Sequence, residues 1–408
     1  MNCEALKKYA ELIVRVGANV KSGQEVVVRA DLDQPEFVKL VVEEAYLAGA
    51  RKVEVEWNYQ PLTKIHVEHR PTEVLEKVED WEVAKLTHRK DPLPAMIYLL
   101  SEDPDGLNGI DREKYALQVQ ARYKRLKSLQ DEMENKYQWC IAAVPGVKWA
   151  KKMFPADSDT EAVEKLWKAI LYTSRAEGDP IENWKKHNEE LEKRCNYLNS
   201  LGLVALEYKS ENGTDLRVGL MENALFMGGG EYTLSGNFFN ANIPSEEVFI
   251  TPKRGEAEGI VYSSRPLCYR GELIENFSIR FEKGRAVEAK AEKNEELLNI
   301  LINMDEGSHY LGECALVPYD SPIRNSGLLF YNTLFDENAA CHLALGEGFS
   351  NCIKDYDKYT LEECRNMGVN ESMIHEDFMI GTADLAIEGI RADGSRVQVF
   401  KDGNFAIA

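Results

Sequence analysis

Acids and histidines interrupt apolar or tightly turning sequence in four segments of the C-terminal half. They are Glu247 in NIPSEEVFITP, Glu313 in HYLGECALVP, Glu337 and His342 in LFDENAACHLALGEGF, and His375 and Asp377 in SMIHEDFMIG. An ionised carboxylate in apolar surroundings is costly unless it is paired with a cation or binds a metal ion. The number of such acids in one half of the chain favours a metal site.

The spacing within two of these segments restricts how a ligand set can form. His375 and Asp377 are two residues apart, so in a strand both side chains leave from the same face. Glu337 and His342 are five residues apart, which gives them a common face on neither a helix nor a strand. If both bind a metal ion, the chain must bend between them.

Each of these residues also has an ordinary structural interpretation. His342 could be a hydrogen-bonded core histidine, Glu313 could cap a turn, and Asp377 could hold a loop amide. Glu247 follows Glu246, and either could be a solvated surface carboxylate. Spacing alone therefore leaves both interpretations open.

Two further patterns are weaker. His66 and His69 form an H-x-x-H pair, but it lacks the glutamate and the spacing of the zinc-protease motif H-E-x-x-H, which favours a surface position. The triplet Gly228–Gly230 has neither the lysine nor the strand-to-helix context of a phosphate-binding loop. No G-x-S-x-G motif is present.

The N-terminal half alternates strands and helices. QEVVVRA precedes a helical segment that starts at Pro35 and ends at Gly49, and RKVEVEW follows as a second strand. A strand, a helix and a strand in succession form a βαβ unit, whose strands are parallel. PAMIYLLS (94–101) and QWCIAAVP (138–145) predict two more strands, and residues 156–200 are helical and charged in character.

Strand signals dominate after Gly202. LVALEYKSENGTDLRVGL alternates apolar residues around an Asn-Gly turn, which is typical of a β-hairpin. GIVYSS, ENFSIRFEKGRAVEAKA and RADGSRVQVFKDGNFAIA predict further strands. We therefore predict an α/β protein in two domains. An N-terminal α/β domain with a parallel sheet and a charged helical segment covers residues 1–200, and a strand-rich α+β metal-binding domain covers residues 201–408.

Composition restricts the partners and the compartment. The 408 residues carry a formal net charge of -20, which repels phosphate backbones and anionic lipids, so we expect neither nucleic acid nor membrane partners. The eight cysteines are scattered and form no C-x-x-C pair, which indicates reduced thiols in a cytoplasmic protein. The N-terminus lacks a signal peptide's apolar core, and no run approaches the roughly 18 apolar residues of a membrane helix.

At the four acid- and histidine-bearing segments, the sequence resembles the family of aminopeptidase T and aminopeptidase S, the PepS-like aminopeptidases. The resemblance covers essentially the whole chain, from YAELIVRVGANVKSGQEVVVRA and EEAYLAGARKVEVEW through GTDLRVGL, IPSEEVF, LGECALVP and FYNTLFDENAACHLALG to HEDFMIG. It implies a homodimeric metal-dependent aminopeptidase that hydrolyses the N-terminal peptide bond of peptides with a free N-terminus.

The resemblance also implies the site. The family's metal ligands fall on Glu247, Glu313, Glu337, His342, His375 and Asp377, with Glu313 bridging two divalent ions. Four carboxylates cancel the charge of two such ions, and six protein ligands leave room for water and substrate, as in a catalytic site. Oxygen and nitrogen ligands suit zinc, cobalt or manganese. The neighbouring Cys314 and Cys341 should point away from the site by strand alternation.

In this interpretation, a metal-activated water attacks the scissile carbonyl carbon. Glu313 is the first candidate for the base that takes the water's proton, and Glu246 is the second. One position departs from the family, where the seventh residue after the ligand histidine is often a tyrosine with a proposed role at the reaction centre. Here it is Phe349, so either another group serves, with Tyr331 and Tyr310 as candidates, or that role is not general in the family.

Two alternatives come from other functional classes. Some proteins that resemble this family are ring-cleaving dioxygenases, which act on dihydroxypyridine with a single iron. The retention of all six ligand positions argues against that function, because one iron would not need them. The other alternative is a non-enzymatic α/β binding protein with a structural metal, which the open ligand count disfavours.

Overall fold

The computed structural model describes residues 2–406. Its first half, in chain order, consists of α1 (Cys3–Leu12), a π-helical turn (Ile13–Gly17), β1 (Glu25–Asp31), α2 (Pro35–Leu47), β2 (Lys52–Asn58), α3 (Pro61–His69), α4 (Thr72–Leu75), α5 (Asp80–Arg89), β3 (Ala95–Leu100), α6 (Arg112–Asp131), β4 (Trp139–Ala143), α7 (Val147–Met153), α8 (Asp159–Thr173) and α9 (Pro180–Ser200).

The second half is mostly strands. It consists of β5 (Leu203–Lys209), β6 (Asp215–Leu220), β7 (Met227–Gly228), β8 (Glu231–Tyr232), β9 (Phe238–Phe239), β10 (Asn242–Ile243), β11 (Val248–Ile250), β12 (Pro252–Tyr262), β13 (Leu267–Tyr269), β14 (Glu272–Glu282), β15 (Arg285–Lys293), α10 (Glu295–Ile302), β16 (Leu311–Leu316), α11 (Pro322–Asn325), α12 (Thr333–Asp336), β17 (His342–Gly346), α13 (Leu361–Met367), β18 (His375–Met379), β19 (Ala386–Arg391), β20 (Arg396–Lys401) and β21 (Asn404–Phe405). Short 3-10 turns connect several of these elements, including Glu337–Ala339.

The first compact unit runs to Lys186 and includes Gly230–Pro244. It is built on a five-stranded sheet in the order β10-β4-β3-β1-β2, and every pair in it is parallel. Three consecutive valines of β1, from Val26 to Val28, are buried because helices cover a parallel sheet on both faces. The predicted parallel sheet and its first four strands are confirmed.

The helix α2 shows how local sequence builds this unit. Pro35 occupies its first turn, where the missing N–H costs nothing, and buried Phe37, Val38, Val41 and Ala45 recur at helical spacing. The small strand β10 was not predicted. It pairs with β4, although it lies about a hundred residues further along the chain, and no local sequence pattern predicts such a pairing.

The second compact unit comprises His187–Gly229 and the chain from Ser245 onward. It contains a nine-stranded sheet in the order β13-β14-β12-β6-β5-β19-β20-β21, with β15 also paired to β14. A five-stranded antiparallel sheet follows the order β18-β17-β16-β11-β7. Residues of both sheets, among them Val218, Phe277, Leu316 and Phe378, share one apolar core.

The predicted hairpin is present, since β5 and β6 are antiparallel and joined through Asn212 and Gly213. Gly213 adopts a φ of 104°, which side-chain-bearing residues rarely do. The α/β fold class with a parallel N-terminal sheet and strand-rich C-terminal part is confirmed, whereas the domain boundary near residue 200 stays a prediction. Among the described residues, none of the helices has the length and apolarity to cross a membrane.

Candidate metal centre

Adjacent strands of the five-stranded sheet carry most of the predicted ligands. Glu313 lies in β16, His342 begins β17, and His375 lies in β18. Across these strands Glu313 pairs with Ala344, and Ala344 pairs with Asp377. The methyl group of Ala344 therefore separates two carboxylates on one face of the sheet, and its small size leaves space between them.

Strand alternation separates this face from the apolar core. Val248, Cys314, Leu343 and Phe378 belong to the core cluster, and the polar residues alternate with them. The thiol of Cys341 also lies in the core, where the backbone N–H of Val317 donates to its sulfur at 3.4 Å. Both cysteine side chains next to ligand positions are thus on the core side, as predicted.

The two imidazoles bring the acids together. The Nε2 atom of His342 lies 3.2 Å from Oε2 of Glu247, 4.0 Å from Oε2 of Glu313 and 3.9 Å from Oδ1 of Asp377. The Nε2 atom of His375 lies 3.2 Å from Oε2 of Glu313 and 3.4 Å from Oδ1 of Asp377. Five of the six predicted ligands therefore converge.

These contacts form two overlapping ligand groups. One contains Glu247, Glu313 and His342, the other contains Glu313, His375 and Asp377, and within each group the ligand atoms lie within 4.8 Å of one another. Glu313 belongs to both groups. We call them the Glu247 group and the Asp377 group.

Glu337 lies beside these groups but belongs to neither. It begins the 3-10 turn Glu337–Ala339, which ends shortly before β17, so the predicted bend between Glu337 and His342 is present. Its carboxylate is buried, and the side chain of Asn338 donates to its Oε1 at 3.2 Å. Burial and the nearby charges of Asp377 and Glu247 raise its pKa well above the ordinary value.

Backbone carbonyls orient both imidazoles. The Nδ1 atom of His342 lies 2.9 Å from the carbonyl oxygen of Glu337, and Nδ1 of His375 lies 2.7 Å from that of Glu347. A carbonyl only accepts, so Nδ1 carries the proton in each ring, and Nε2 faces the acids. This is the tautomer that metal-ligating histidines adopt when Nε2 binds the ion.

Two atoms at the centre lack hydrogen bonds of acceptable geometry with any residue in the range 2–406. They are Nε2 of His342 and Oδ1 of Asp377, although each has an oppositely charged neighbour within 4 Å. An unmet buried polar atom is costly, and a coordinated cation would satisfy both. The donor set therefore fits a divalent metal.

Burial and the charges of neighbouring carboxylates shift the pKa values of Glu313 and His342. Burial, reinforced by Glu247 and Asp377, raises the pKa of Glu313 to about 7. Burial alone would lower the pKa of His342, but its contact with Glu247 and the charges of Asp377 and Glu313 raise it to about 10. Glu313 and His342 therefore both bind a proton more tightly than usual, whereas the charge of His375 outweighs burial and lowers the pKa of Asp377 to about 2. Bound metal ions would supply positive charge as protons leave the cluster.

Phe349 contacts this site. Its ring lies 4.8 Å from that of His375 and 5.4 Å from that of Phe249, measured between centroids. The hydroxyl of Tyr310 lies 3.5 Å from Oε1 of Glu306, so Tyr310 is directed to another partner and is a poor substitute donor. The role of Tyr331 stays a prediction.

The structure explains part of the glycine triplet. A side chain at Gly228 would place Cβ 2.5 Å from the carbonyl oxygen of Glu247, so only glycine lets the two backbones pass this closely. The sequence alone shows the triplet, but it does not show that the backbone of Glu247 passes beside Gly228.

The histidines His66 and His69 both belong to α3. His66 is partly buried and His69 is exposed, in agreement with the surface interpretation.

The fold and the cluster together define a class: an α/β protein with a buried oxygen- and nitrogen-ligand centre for divalent ions. Comparison with known proteins is more specific. The sequence profile of the family described as Thermophilic metalloprotease (M29) matches residues 2–405, and the chain belongs to this family.

Relatives of known name agree with this assignment. Aminopeptidase AmpS of Bacillus subtilis is 42% identical over 405 residues, covering 99% of this chain and 98% of the relative. The structure of wild-type AmpT from Thermus thermophilus has a TM-score of 0.89 at 38% identity, covering 99% of both chains. The predicted resemblance to the aminopeptidase T and S family is confirmed.

A more distant similarity concerns the fold alone. The structure of 2,5-dihydroxypyridine dioxygenase from Pseudomonas putida KT2440 has a TM-score of 0.53 at 12% identity, covering 99% of this chain and 96% of the other. At this identity the similarity carries no argument about function, so the dioxygenase alternative gains no support from it.

Proposed function

We propose that this protein is a metal-dependent aminopeptidase that removes N-terminal residues from peptides with a free amino group. The observation that carries the proposal is the pair of overlapping ligand groups joined at Glu313. Membership of a metallopeptidase family supports it, as does similarity to relatives named aminopeptidases.

The proposed ligands are Glu247, Glu313, Glu337, His342, His375 and Asp377, which would hold two divalent ions. Glu313 would contribute to holding both ions, because it belongs to both groups. Zinc, cobalt and manganese suit this set of carboxylates and imidazoles. When bound, the ions would lower the pKa of a coordinated water and polarise the scissile carbonyl.

The chain's own residues account for orientation and proton transfer. The carbonyls of Glu337 and Glu347 hold the histidines with Nε2 facing the site. We propose Glu313 as the first candidate for the base that accepts the proton of the attacking water at a carboxylate oxygen, and Glu246 as the second. The acidic side chains also favour a substrate with a positively charged or metal-binding amine over one with a neutral amide.

We further propose a cytoplasmic homodimer. In the described part of the chain, which contains all eight cysteines, none of them is in a disulfide, which suits a reducing compartment. Resemblance to the aminopeptidase T and S family supports the homodimer. Sedimentation analysis of the purified protein should give the mass of two chains, and a monomer at micromolar concentration would contradict this part of the proposal.

The proposed activity is tested with matched dipeptide substrates that differ only in an acetyl group on the N-terminus. The free substrate should be cleaved and the acetylated one should be poor, because an amide nitrogen is a far weaker ligand than an amine. Comparable cleavage of both would instead indicate an endopeptidase or another hydrolase.

Metal dependence is tested on the same substrate. Chelation should abolish cleavage, and addition of zinc, cobalt or manganese to the metal-free protein should restore it. Metal analysis of the purified protein should give two ions per chain. Full activity in protein shown to be metal-free would overturn the two-metal proposal.

A further inference from the structure

Asn338 connects two ligand-bearing segments that are far apart in the sequence. Its Oδ1 accepts a hydrogen bond of 2.6 Å from the backbone N–H of Glu246. Its Nδ2 donates to the carbonyl of Leu334 at 3.0 Å and to Oε1 of Glu337 at 3.2 Å. The side chain is 0% exposed, so no water competes for these bonds.

The segment that carries Glu247 depends on such support. Ser245, Glu246 and Glu247 precede β11 and lie outside any strand, so the sheet does not hold them. Two side chains contact the backbone of this segment. The Nε2 atom of His187 lies 2.7 Å from the carbonyl oxygen of Ser245, and Oδ1 of Asn338 accepts from the backbone N–H of Glu246. The second contact spans 92 residues of sequence.

The same amide group fixes the carboxylate of Glu337. A primary amide offers an acceptor and two donor hydrogens, and Asn338 uses its oxygen and its nitrogen together. Its bond to Oε1 fixes the orientation of the Glu337 carboxylate. One side chain therefore sets the positions of two predicted ligands relative to each other.

We infer that Asn338 is a positioning residue that controls the affinity of the Glu247 group for its metal ion, with little effect on the Asp377 group. The inference rests on the proposed two-metal function. Its basis is that Asn338 accepts from the backbone N–H of Glu246, the residue next to Glu247, whereas the Asp377 group is held by β16 and β18. Residues that hydrogen-bond to metal ligands typically change metal affinity about 10–100-fold when they are replaced.

Asn370 provides a matched control. It is also 0% exposed, and its Nδ2 donates to two carbonyls, those of Gly307 at 2.8 Å and Gly346 at 2.6 Å. Asn370→Ala removes the same amide from an equally buried position but leaves the contacts of Glu246 and Glu337 intact. Both alanine variants should lower the melting temperature of the metal-free protein, because each removes buried hydrogen bonds.

The experiment is calorimetric titration of metal-free full-length protein with zinc, for wild type, Asn338→Ala and Asn370→Ala. We expect wild type to bind two ions, and Asn338→Ala to bind one of them at least about tenfold more weakly while the other stays within about threefold. Asn370→Ala should keep the affinity that Asn338→Ala loses. If the alanine variant does not fold, Asn338→Leu keeps the side-chain volume without the hydrogen bonds and should give the same asymmetry.

Comparison with Glu247→Gln identifies the affected ion. Asn338→Ala and Glu247→Gln should weaken the same ion, and the double variant should lose less affinity than the two single effects combined, since both act on one ligand group. Equal weakening of both ions in Asn338→Ala, or affinities equal to wild type, would overturn the inference alone. Wild-type protein that binds no divalent ion would overturn the proposed metal function and this inference with it.

Discussion

Two glutamates on different sheets show opposite ways of holding a buried negative charge. Glu56, in β2 of the parallel sheet, accepts from Nε of Arg29 at 2.7 Å and contacts Lys85 and Arg89. Partial burial opposes its ionisation, but these three cations lower its pKa to about 2. Glu313, in β16, has two histidines and further carboxylates as neighbours, and burial raises its pKa to about 7.

Glu56 and Glu313 differ in whether the chain itself provides the positive charge that a buried carboxylate needs. The chain supplies Glu56 with all of its counter-charge, so that site is complete as folded. The cluster around Glu313 contains four predicted carboxylate ligands and only two imidazoles. The pKa values of Glu313, Glu337 and both histidines are raised, whereas the charge of His375 outweighs burial and lowers the pKa of Asp377 to about 2. Such a cluster needs cations from outside the chain, and this shortage is what distinguishes it from an ion-pair network.

The largest expected effect comes from Glu313→Gln. Glutamine keeps the shape but removes the charge that both ligand groups share, so we expect the loss of kcat/KM to exceed that of Asp377→Asn, which affects one group. The loss should also exceed the about 10–100-fold typical of residues that only hydrogen-bond to a ligand. Turnover of a free dipeptide and metal content measure the effect. Near-normal turnover with two bound ions would show that Glu313 does not bridge.

The melting temperature of the metal-free protein also distinguishes Glu313 from Glu56. Glu313→Gln removes one negative charge from beside Glu247 and Asp377, so the metal-free variant should melt at the wild-type temperature or above it. Glu56→Gln should melt below wild type. Destabilisation of the metal-free protein by both substitutions would mean that the two clusters do not differ as described.

Glu56→Gln should have a smaller effect, and only on stability. The loss of the three contacts should cost about 1–2 kcal/mol of unfolding free energy, less than a fully buried pair, because Arg29 and Lys85 are partly exposed and solvent screens them. Metal content and kcat should stay at the wild-type level. Chemical denaturation at pH 7 measures the difference.

The pH dependence of that difference has a definite sign. The pKa of Glu56 is lowered from 4.5 to about 2 on folding, so its contribution to stability is present above about pH 4.5 and is lost as the pH falls toward 2. The stability gap between wild type and Glu56→Gln should therefore narrow below pH 4.5. A gap that widens in acid would contradict the assigned pairing.

Local sequence was sufficient for much of the fold. The valine run of β1, the Pro35 start of α2 and the Asn-Gly turn between β5 and β6 each specify their element through neighbouring residues alone. The resemblance to the aminopeptidase family, and not the spacing of the acids, indicated which residues would converge, because spacing alone left their ordinary structural interpretations open. Their binding of metal ions stays a prediction.

What escaped prediction is non-local. The pairing of β10 with β4 and the contact between Asn338 and Glu246, 92 residues apart, depend on the assembled fold. The alignment of Glu313, Ala344 and Asp377 depends on the strand register, which includes an irregularity near Glu313. Neither composition nor spacing contains that register, since each strand alone fits several pairings.

The smallest expected effect concerns Phe349, at the position where the resemblance to the family implies a tyrosine. Because its ring lies 4.8 Å from that of His375, a hydroxyl added by Phe349→Tyr would lie at the edge of the metal centre. We expect a severalfold rise in kcat with little change in KM, since the new hydrogen bond would form mainly in the transition state. The rise should stay below the about 100–1,000-fold that removal of a preorganised oxyanion donor costs, because the surroundings are adapted to phenylalanine.

Two further variants separate the explanations for this phenylalanine. Phe349→Leu removes the aromatic contacts with His375 and Phe249 and should lower stability by about 1 kcal/mol, whatever the catalytic role of the position. Tyr331→Phe should reduce kcat only if Tyr331 supplies the substitute hydroxyl. A neutral Phe349→Tyr with a damaging Tyr331→Phe would move the donor to Tyr331. If neither change affects kcat, Phe349 is a packing residue, and no tyrosine hydroxyl at either position takes part in the reaction.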